Sequence, residues 1–197
     1  MSLDEAWIVV LDAGAGTLVR STRHGLRSVV APVVVSADRT RITTHLARAN
    51  EWWRDVDDGT EVLGLFMSAS AYVSPLFYPS RLDDPRVVPT WNYVAVELRG
   101  TLWVHNDPEW LYDQVGRQTS IFEARRATRW RVADAPPDYI DSQIKAIVGI
   151  EIEVTSIEGK AKLSQNRSAN DRASVREHLS EADFSDRQVA RRMGRGD

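Results

Sequence analysis

The 197 residues are 43% hydrophobic, enough to bury one sizeable core, so the default organisation is one domain with a tail. The chain has no cysteine, which excludes disulfides, thiolate nucleophiles and thiolate metal sites together. A net charge of −3 argues against bulk, non-specific nucleic-acid binding, though not against a local basic patch.

Near the start, Trp7-Ile8-Val9-Val10-Leu11 is apolar but follows Asp4 and Glu5, the wrong charge for a signal peptide. No apolar run approaches the roughly 20 residues that span a bilayer, so a cytoplasmic protein with no membrane partner is the simplest reading. Residues 16–20 and 28–35 are apolar, β-branched runs on either side of the turn-like Thr22-Arg23-His24-Gly25, and 41–44 reads as a third strand. From residue 45 to 56 the period becomes helical, with Leu46, Ala49, Trp53 and Val56 on one face. Strand character returns at 62–67 and 72–74. Pro75, Pro79, Pro85 and Pro89 then make 75–89 a long irregular loop.

The segment Val88-Pro89-Thr90-Trp91-Asn92-Tyr93 runs into Val94-Ala95-Val96-Glu97-Leu98, a buried-looking strand. Alternation puts Trp91 and Tyr93 on one face and Asn92 on the other. That run suits either an edge where a planar ligand or partner packs, or a core aromatic pair. The strand region extends over 90–104, with Gly100 as a candidate bulge. Asp107-Pro108 then caps a helix whose Leu111, Val115 and Phe122 face inward. A second helix opens at 134–138, with Ile140, Ile144, Ile147 and Val148 as its stripe and Gly149 as its stop. Ile150, Ile152 and Val154 alternate with Glu151, Glu153 and Thr155 as a half-buried strand, and Glu158-Gly159-Lys160 turns it toward Lys162-Leu163-Ser164-Gln165. Many short strands with a few inserted helices point to a mainly β, small antiparallel barrel of Greek-key-like type over 1–167. Residues 168–197 form a charged tail, either helical through Val175, Leu179, Phe184 and Val189 or partly disordered. Its end carries Arg187, Arg191, Arg192 and Arg195, a charge run of the kind that is usually just solvated.

Catalytic patterns are scarce. There is no phosphate-binding glycine loop with a lysine and no Gly-x-Ser-x-Gly elbow. His24, His45, His105 and His178 are scattered, so no metal ligands are assigned. Asp57-Asp58 and Asp83-Asp84 read as loop charges and turn formers, and no catalytic residue is assigned.

The chain nevertheless resembles the PaiB family of FMN-binding split-barrel transcriptional regulators. The resemblance is carried by Thr44-His45-Leu46-Ala47-Arg48-Ala49-Asn50, Ala71-Tyr72-Val73-Ser74-Pro75, Tyr78-Pro79-Ser80 and the Val88 to Tyr93 motif. It continues in Ala135-Pro136-Pro137-Asp138-Tyr139-Ile140, Ala146-Ile147-Val148-Gly149-Ile150-Glu151-Ile152, Glu158-Gly159-Lys160 and Lys162-Leu163-Ser164-Gln165-Asn166-Arg167. Departures accompany it: Ala13-Gly14-Ala15 replaces His-Pro-Phe, Glu51 a proline, Phe77 a Trp, Glu97 and Phe122 two His positions, and Ala161 a Trp. This is a divergent member, and the departures put retention of the cofactor itself in question.

The resemblance implies an FMN-binding split barrel, dimeric, with the flavin in a groove at the dimer interface, and a negative transcriptional regulator as the function. FMN needs fixed donors for its phosphate dianion and a flat apolar contact for its ring. Thr43, Thr44 and His45, where a strand passes into the expected helix, would form a phosphate cradle with Arg48, and Asn50 closes that motif. The bland alternative makes Thr44 an N-cap and Arg48 a surface residue. Trp91, Asn92, Tyr93, Gln165 and Asn166 offer ring and amide contacts, and Lys162 either touches the ligand or ends a polar strand. Two rival readings stand beside the regulator: a flavin-dependent oxidoreductase or flavin reductase, and an interaction protein that has lost its ligand. DNA is weakly supported as a partner, through the terminal arginines alone.

Overall fold

The computed structural model describes residues 1–57 and 59–194. Asp58 of the Asp57-Asp58 pair and Arg195 of the terminal arginines lie outside the described residues. The strands are β1 (Ala15–Thr22), β2 (Gly25–Pro32), β3 (Val34–Val35), β4 (Arg41–Ala47), β5 (Glu61–Val73), β6 (Thr90–His105) and β7 (Ile147–Lys162). The helices are α1 (Leu3–Ala13), α2 (Pro108–Glu123), α3 (Pro137–Lys145), α4 (Ala169–Glu181) and α5 (Phe184–Met193). The strands join one sheet in the order β2-β1-β5-β6-β7-β4-β3. Antiparallel registers set Leu18 opposite Val29 and Gly64, and Ile42 opposite Val35 and Ile152. By its contacts the chain divides into two compact units. The first comprises Met1–Ala13, Phe66–Val96 and the chain from Glu158 onward; the second comprises Gly14–Leu65 and Glu97–Ile157.

In the second unit, Leu18, Ile42, Leu98, Leu102, Leu111, Ile150 and Ile152 are buried, as alternating strands with one apolar face require. Arg20 is also buried: its Nε donates to the Trp52 carbonyl at 2.6 Å, a second guanidinium nitrogen donates to the Arg54 carbonyl, and the group lies over the Trp52 ring. Carbonyls and a ring face thus replace the water that this cation gives up.

The helix expected over 45–56 is absent. Strand β4 runs on to Ala47, each residue paired with β7, and Leu46 is buried as a strand residue. Only a 3-10 turn, Glu51–Trp53, follows, capped by the Asn50 side chain accepting from the Trp52 amide at 2.8 Å. Cross-strand pairing here overrides local periodicity. The same pairing takes Ile147 and Val148 from the expected helix into β7, so α3 ends at Lys145. Gly149 is no helix stop: a Cβ there would lie 2.2 Å from the Trp110 ring, so glycine is what lets α2 approach the strand. Gly100 likewise marks close approach rather than a bulge, since a Cβ would meet the Glu153 carbonyl oxygen at 2.4 Å while burial alternates through it. Phe122 is 41% exposed instead of inward, and the buried place on α2 goes to Gln114.

The first unit begins with α1, which sequence periodicity left undetected. Ala6, Trp7, Val9 and Val10 are buried along one helical face. The two expected strands at 62–67 and 72–74 are one strand, β5, whose buried positions change parity between Phe66 and Ala69. Strand β7 passes straight through Gly159, where a turn was expected, and that glycine packs on Ala6 and Met1. Ser168 and Asp183 cap α4 and α5, accepting from the amides of Asp171 and Asp186. These helices bury Val175, Leu179, Val189, Ala190 and Met193 against Ala69, Ala71, Val73 and Tyr78. Each fully buried Val or Leu is worth about 1.5–3 kcal/mol, so the helix pair is integral to this core. Phe184 is 70% exposed and takes no part in it.

Candidate functional site

The expected cofactor contacts fall into separate units. Thr43, Thr44, His45, Arg48 and Asn50 belong to the second; Trp91, Asn92, Tyr93, Lys162, Gln165 and Asn166 belong to the first.

In the second unit, Thr43 and His45 share one face of β4, while Thr44 points to the other and is buried. Thr43 Oγ1 donates to Gln114 Oε1 at 2.7 Å, and Arg117 Nη2 lies 3.4 Å from that same oxygen. Gln114 Nε2 lies 3.5 Å from Gln118 Oε1. Burial pushes the His45 imidazole below its ordinary pKa, a hydrogen bond with the Gln118 side chain partly offsetting this, and Nδ1 has no partner among the described residues. A buried polar group left without a partner costs about 1–3 kcal/mol. Thr43 and Arg117 line a groove of 880 Å³ whose apolar walls are Val34, Val35, Tyr112 and Ile121. Its charges are mixed. Arg41 lies 3.7 Å from Glu151, and His105, stacked on Trp110, lies 3.9 Å from the other carboxylate oxygen. Asp38 accepts from the Ser36 hydroxyl and the Thr40 amide, which hold its carboxyl down at about 2.

The cradle expected around Arg48 needs correcting, because no helix starts there. Arg48 donates from Nε to the Lys145 carbonyl at 3.1 Å, from Nη2 to the Ile147 carbonyl at 2.7 Å and from Nη1 to Asn106 at 2.8 Å. It ties down the end of α3 and the start of β7. Thr44 Oγ1 reaches only the His45 carbonyl, at 3.4 Å, and Asn50 serves as the cap described above.

In the first unit, β6 places Trp91 outward and Asn92 fully inside. Trp91 meets Tyr72 edge-on at 6.3 Å, and Lys160 stands 6.0 Å from the half-buried Tyr93 ring. Asn92 Oδ1 accepts from Ser164 Oγ at 3.1 Å, and its amide nitrogen faces Met193 Sδ at 3.7 Å. Lys162 Nζ donates to Thr90 Oγ1 at 2.6 Å. Gln165 folds back on its own turn, accepting from the Leu163 amide and donating to the Ala161 carbonyl, both at 2.8 Å. Asn92, Lys162 and Asn166 line a recess of 220 Å³ together with Tyr78 and Arg167. Gln165 instead lines a separate 590 Å³ cavity with Ile8, Val94 and Arg192.

Gln114, Gln118 and Arg117 escaped sequence reasoning. The available signal was a pair of amides at helical spacing in phase with Leu111. Among the described residues no group of three or more His, Asp or Glu is placed to hold a metal ion, and no helix is long and apolar enough to cross a membrane.

Comparison with known proteins adds a lineage. Residues 2–156 match the family model described as "Putative FMN-binding domain". Over 178 residues, 89% of this chain and 83% of the other, it is 32% identical to the protease synthase and sporulation protein PAI 2 of Bacillus subtilis. Among solved structures it is similar to the FAD and heme binding protein of Mycobacterium smegmatis, with a TM-score of 0.62 and 12% identity over 88% of this chain and 77% of that one. It is also similar to the flavocytochrome Anf3 of Azotobacter vinelandii, with a TM-score of 0.61 and 8% identity over 87% of this chain and 73% of that one. At these identities the structural likeness shows the fold, a mainly antiparallel sheet with helices of the flavin-binding split-barrel type.

Proposed function

The chain belongs to this FMN-binding domain family, and from that premise we propose that it binds FMN in the groove of the second unit. The observation that carries this reading is an oriented cation beside an apolar wall. Arg117 is held at the buried amide of Gln114, which Thr43 also engages, while Val34, Val35, Tyr112 and Ile121 offer flat contact. At 880 Å³ the groove lies within the roughly 300–1,000 Å³ of small-molecule sites. The donor set therefore fits a phosphate-bearing flavin, with Arg117 toward the phosphate and the apolar wall toward the ring. Of the acidic lining residues, Glu151 lies 3.7 Å from Arg41, whereas Asp38, bonded to Ser36 and Thr40, and Asp113 keep their charge and set a limit on the groove's affinity for a dianion. Bound there, FMN would supply hydride or one-electron chemistry; this chain's residues bind and orient it.

We further propose a PaiB-like negative transcriptional regulator acting in the cytoplasm, the role that the family resemblance implies; the relative's own name ties it to protease synthesis and sporulation. Homodimerisation is supported by Met67, Tyr72 and Trp91, which leave large apolar surface exposed in the first unit. Any DNA contact would rest on the exposed Arg187 and Arg191, because Arg192 pairs with Asp12 at 2.8 Å. The deciding experiment titrates apo protein with FMN and with riboflavin, followed by flavin fluorescence. Arg117→Gln should weaken FMN by about ten-fold or more, the scale of a charge-assisted hydrogen bond, and leave riboflavin unchanged. Absence of FMN binding by the wild type would end this reading.

A further inference from the structure

We propose that the 220 Å³ recess of the first unit binds a phosphate-like oxyanion. Charge is the first argument. Lys162 and Arg167 both line the recess, and none of its lining residues is acidic. Arg167 does feel the charge of Asp171, a carboxylate outside the lining that accepts from the Ser80 amide at 3.0 Å and the Ser80 hydroxyl at 2.7 Å.

The second argument is an orphan donor. Tyr78 lines the recess and is fully buried, yet its hydroxyl has no hydrogen-bond partner among the described residues. Buried hydroxyls are paired in the large majority of cases, so this residue of the recess wall has a donor to spare. The Arg167 guanidinium carbon lies 4.4 Å from the centre of the Tyr78 ring, a cation–π contact that consumes none of its N–H donors.

The third argument is preorganisation. Ser164 is buried, is not glycine, and holds a φ of +62° in the turn that carries Asn166 and Arg167. Its hydroxyl is bonded to Asn92 and its carbonyl accepts from the Arg167 amide at 3.0 Å, so the strained turn is fixed from both sides. Lys162 uses one of its three donors on Thr90 and has two to offer. The volume then selects the ligand. At 220 Å³ the recess is smaller than the roughly 300 Å³ of typical organic-ligand pockets, so it suits a phosphate group rather than a ring.

The phosphate could be free, or could belong to FMN. Calorimetric titration of the full chain with inorganic phosphate, against chloride at matched ionic strength, tests the site. Wild type should bind, and Lys162→Met and Arg167→Met should each weaken binding by about ten-fold. Tyr78→Phe keeps the ring beneath Arg167, and should weaken phosphate by about three-fold or more without lowering the melting temperature. No phosphate binding, or binding unchanged in all three variants, overturns the proposal and leaves water as the hydroxyl's partner. A second arm identifies the source: competition by FMN but not riboflavin assigns the recess to the flavin's own phosphate and removes that role from Arg117, and no competition assigns it to a separate anion. The site does not depend on the groove, so phosphate binding by a protein that takes no flavin still supports it.

Discussion

The groove of the second unit and the recess of the first handle charge in opposite ways. In the groove, charges of opposite sign share one lining: Arg41 lies 3.7 Å from Glu151, and Arg117 stands in the same lining as Asp38 and Asp113. Such pairing leaves a weak net field, and affinity there must come largely from apolar contact, oriented by a few polar groups. In the recess, two cations and a buried hydroxyl converge with no lining carboxylate, so affinity must come from charge. The lesson is that volume alone misranks sites. The larger space is the electrostatically quieter one.

The harshest way to break this contrast is to remove Asp171, which backs the recess. Asp171→Ala removes a buried carboxylate and strands the half-buried Ser80 amide and hydroxyl, and should cost about 3 kcal/mol in a urea melt. FMN affinity should stay unchanged; an equal fall in FMN affinity would show that the two sites are not independent. Acid adds a signature. Burial alone would push the Asp171 carboxyl up, but hydrogen bonds from Ser80 and Ser168 and the charge of Arg167 together outweigh it and leave the pKa below its ordinary value. A depressed folded pKa stabilises above the unfolded value of about 3.9, and that stability is lost as pH falls through the folded value. Asp171→Asn should lack this acid limb.

Next in size is Gln114→Leu, which conserves volume but takes the acceptor from Thr43 and Arg117. A loss of about 1–3 kcal/mol is expected, with weaker FMN binding and unaltered phosphate binding. If FMN binding survived intact, the orientation of Arg117 would be irrelevant to the groove.

What could be read beforehand follows the range of the interaction responsible. The Asp107 cap of α2 and the Ile150, Ile152, Val154 alternation are local signals, and β7 and α2 lie where those signals put them. Face alternation also separated Asn92 from Trp91, and the structure buries one and exposes the other. The helix at 45–56 failed because pairing with β7, about a hundred residues away, outweighs a 3.6-residue period in a short stretch. Gly149 and Gly159 failed for a related reason: a glycine that ends an element and one that admits Trp110 or α1 look alike in a string of letters. The same limit divides the candidate sites. Lys162 and Asn166 stood out only as polar candidates implied by the family resemblance, and it is the structure that sets them in one recess with Asn92, whereas the roles of Tyr78, Gln114 and Arg48 depend on partners distant in the chain.

A milder test uses pH on the groove side. His45 is pushed below the ordinary imidazole value by burial, against a smaller opposing contribution from Gln118, so it is neutral near pH 7. A base with a depressed folded pKa stabilises above its unfolded pKa of about 6.5 and loses that contribution as pH falls through the folded value. Wild type should therefore lose stability as pH drops below about 6.5 in a way that His45→Gln does not. Identical pH profiles for the two proteins would mean that the imidazole is not held neutral by burial.

The smallest expected effect is also the most specific to the groove. Asp113 lines it from α2, one helical turn before Arg117, and it opposes any dianion held there. An exposed charge of this kind is worth about 1 kcal/mol or less, so Asp113→Asn should tighten FMN by about two- to five-fold. Riboflavin lacks the phosphate and should bind as before, and inorganic phosphate in the recess should also be unaffected. The gain should shrink as salt rises, since screening acts on exposed charges first. Should Asp113→Asn weaken FMN instead, the carboxylate must be serving the flavin as an acceptor, and the phosphate would have to lie away from Arg117. The direction of one small shift thus decides which end of the flavin faces α2.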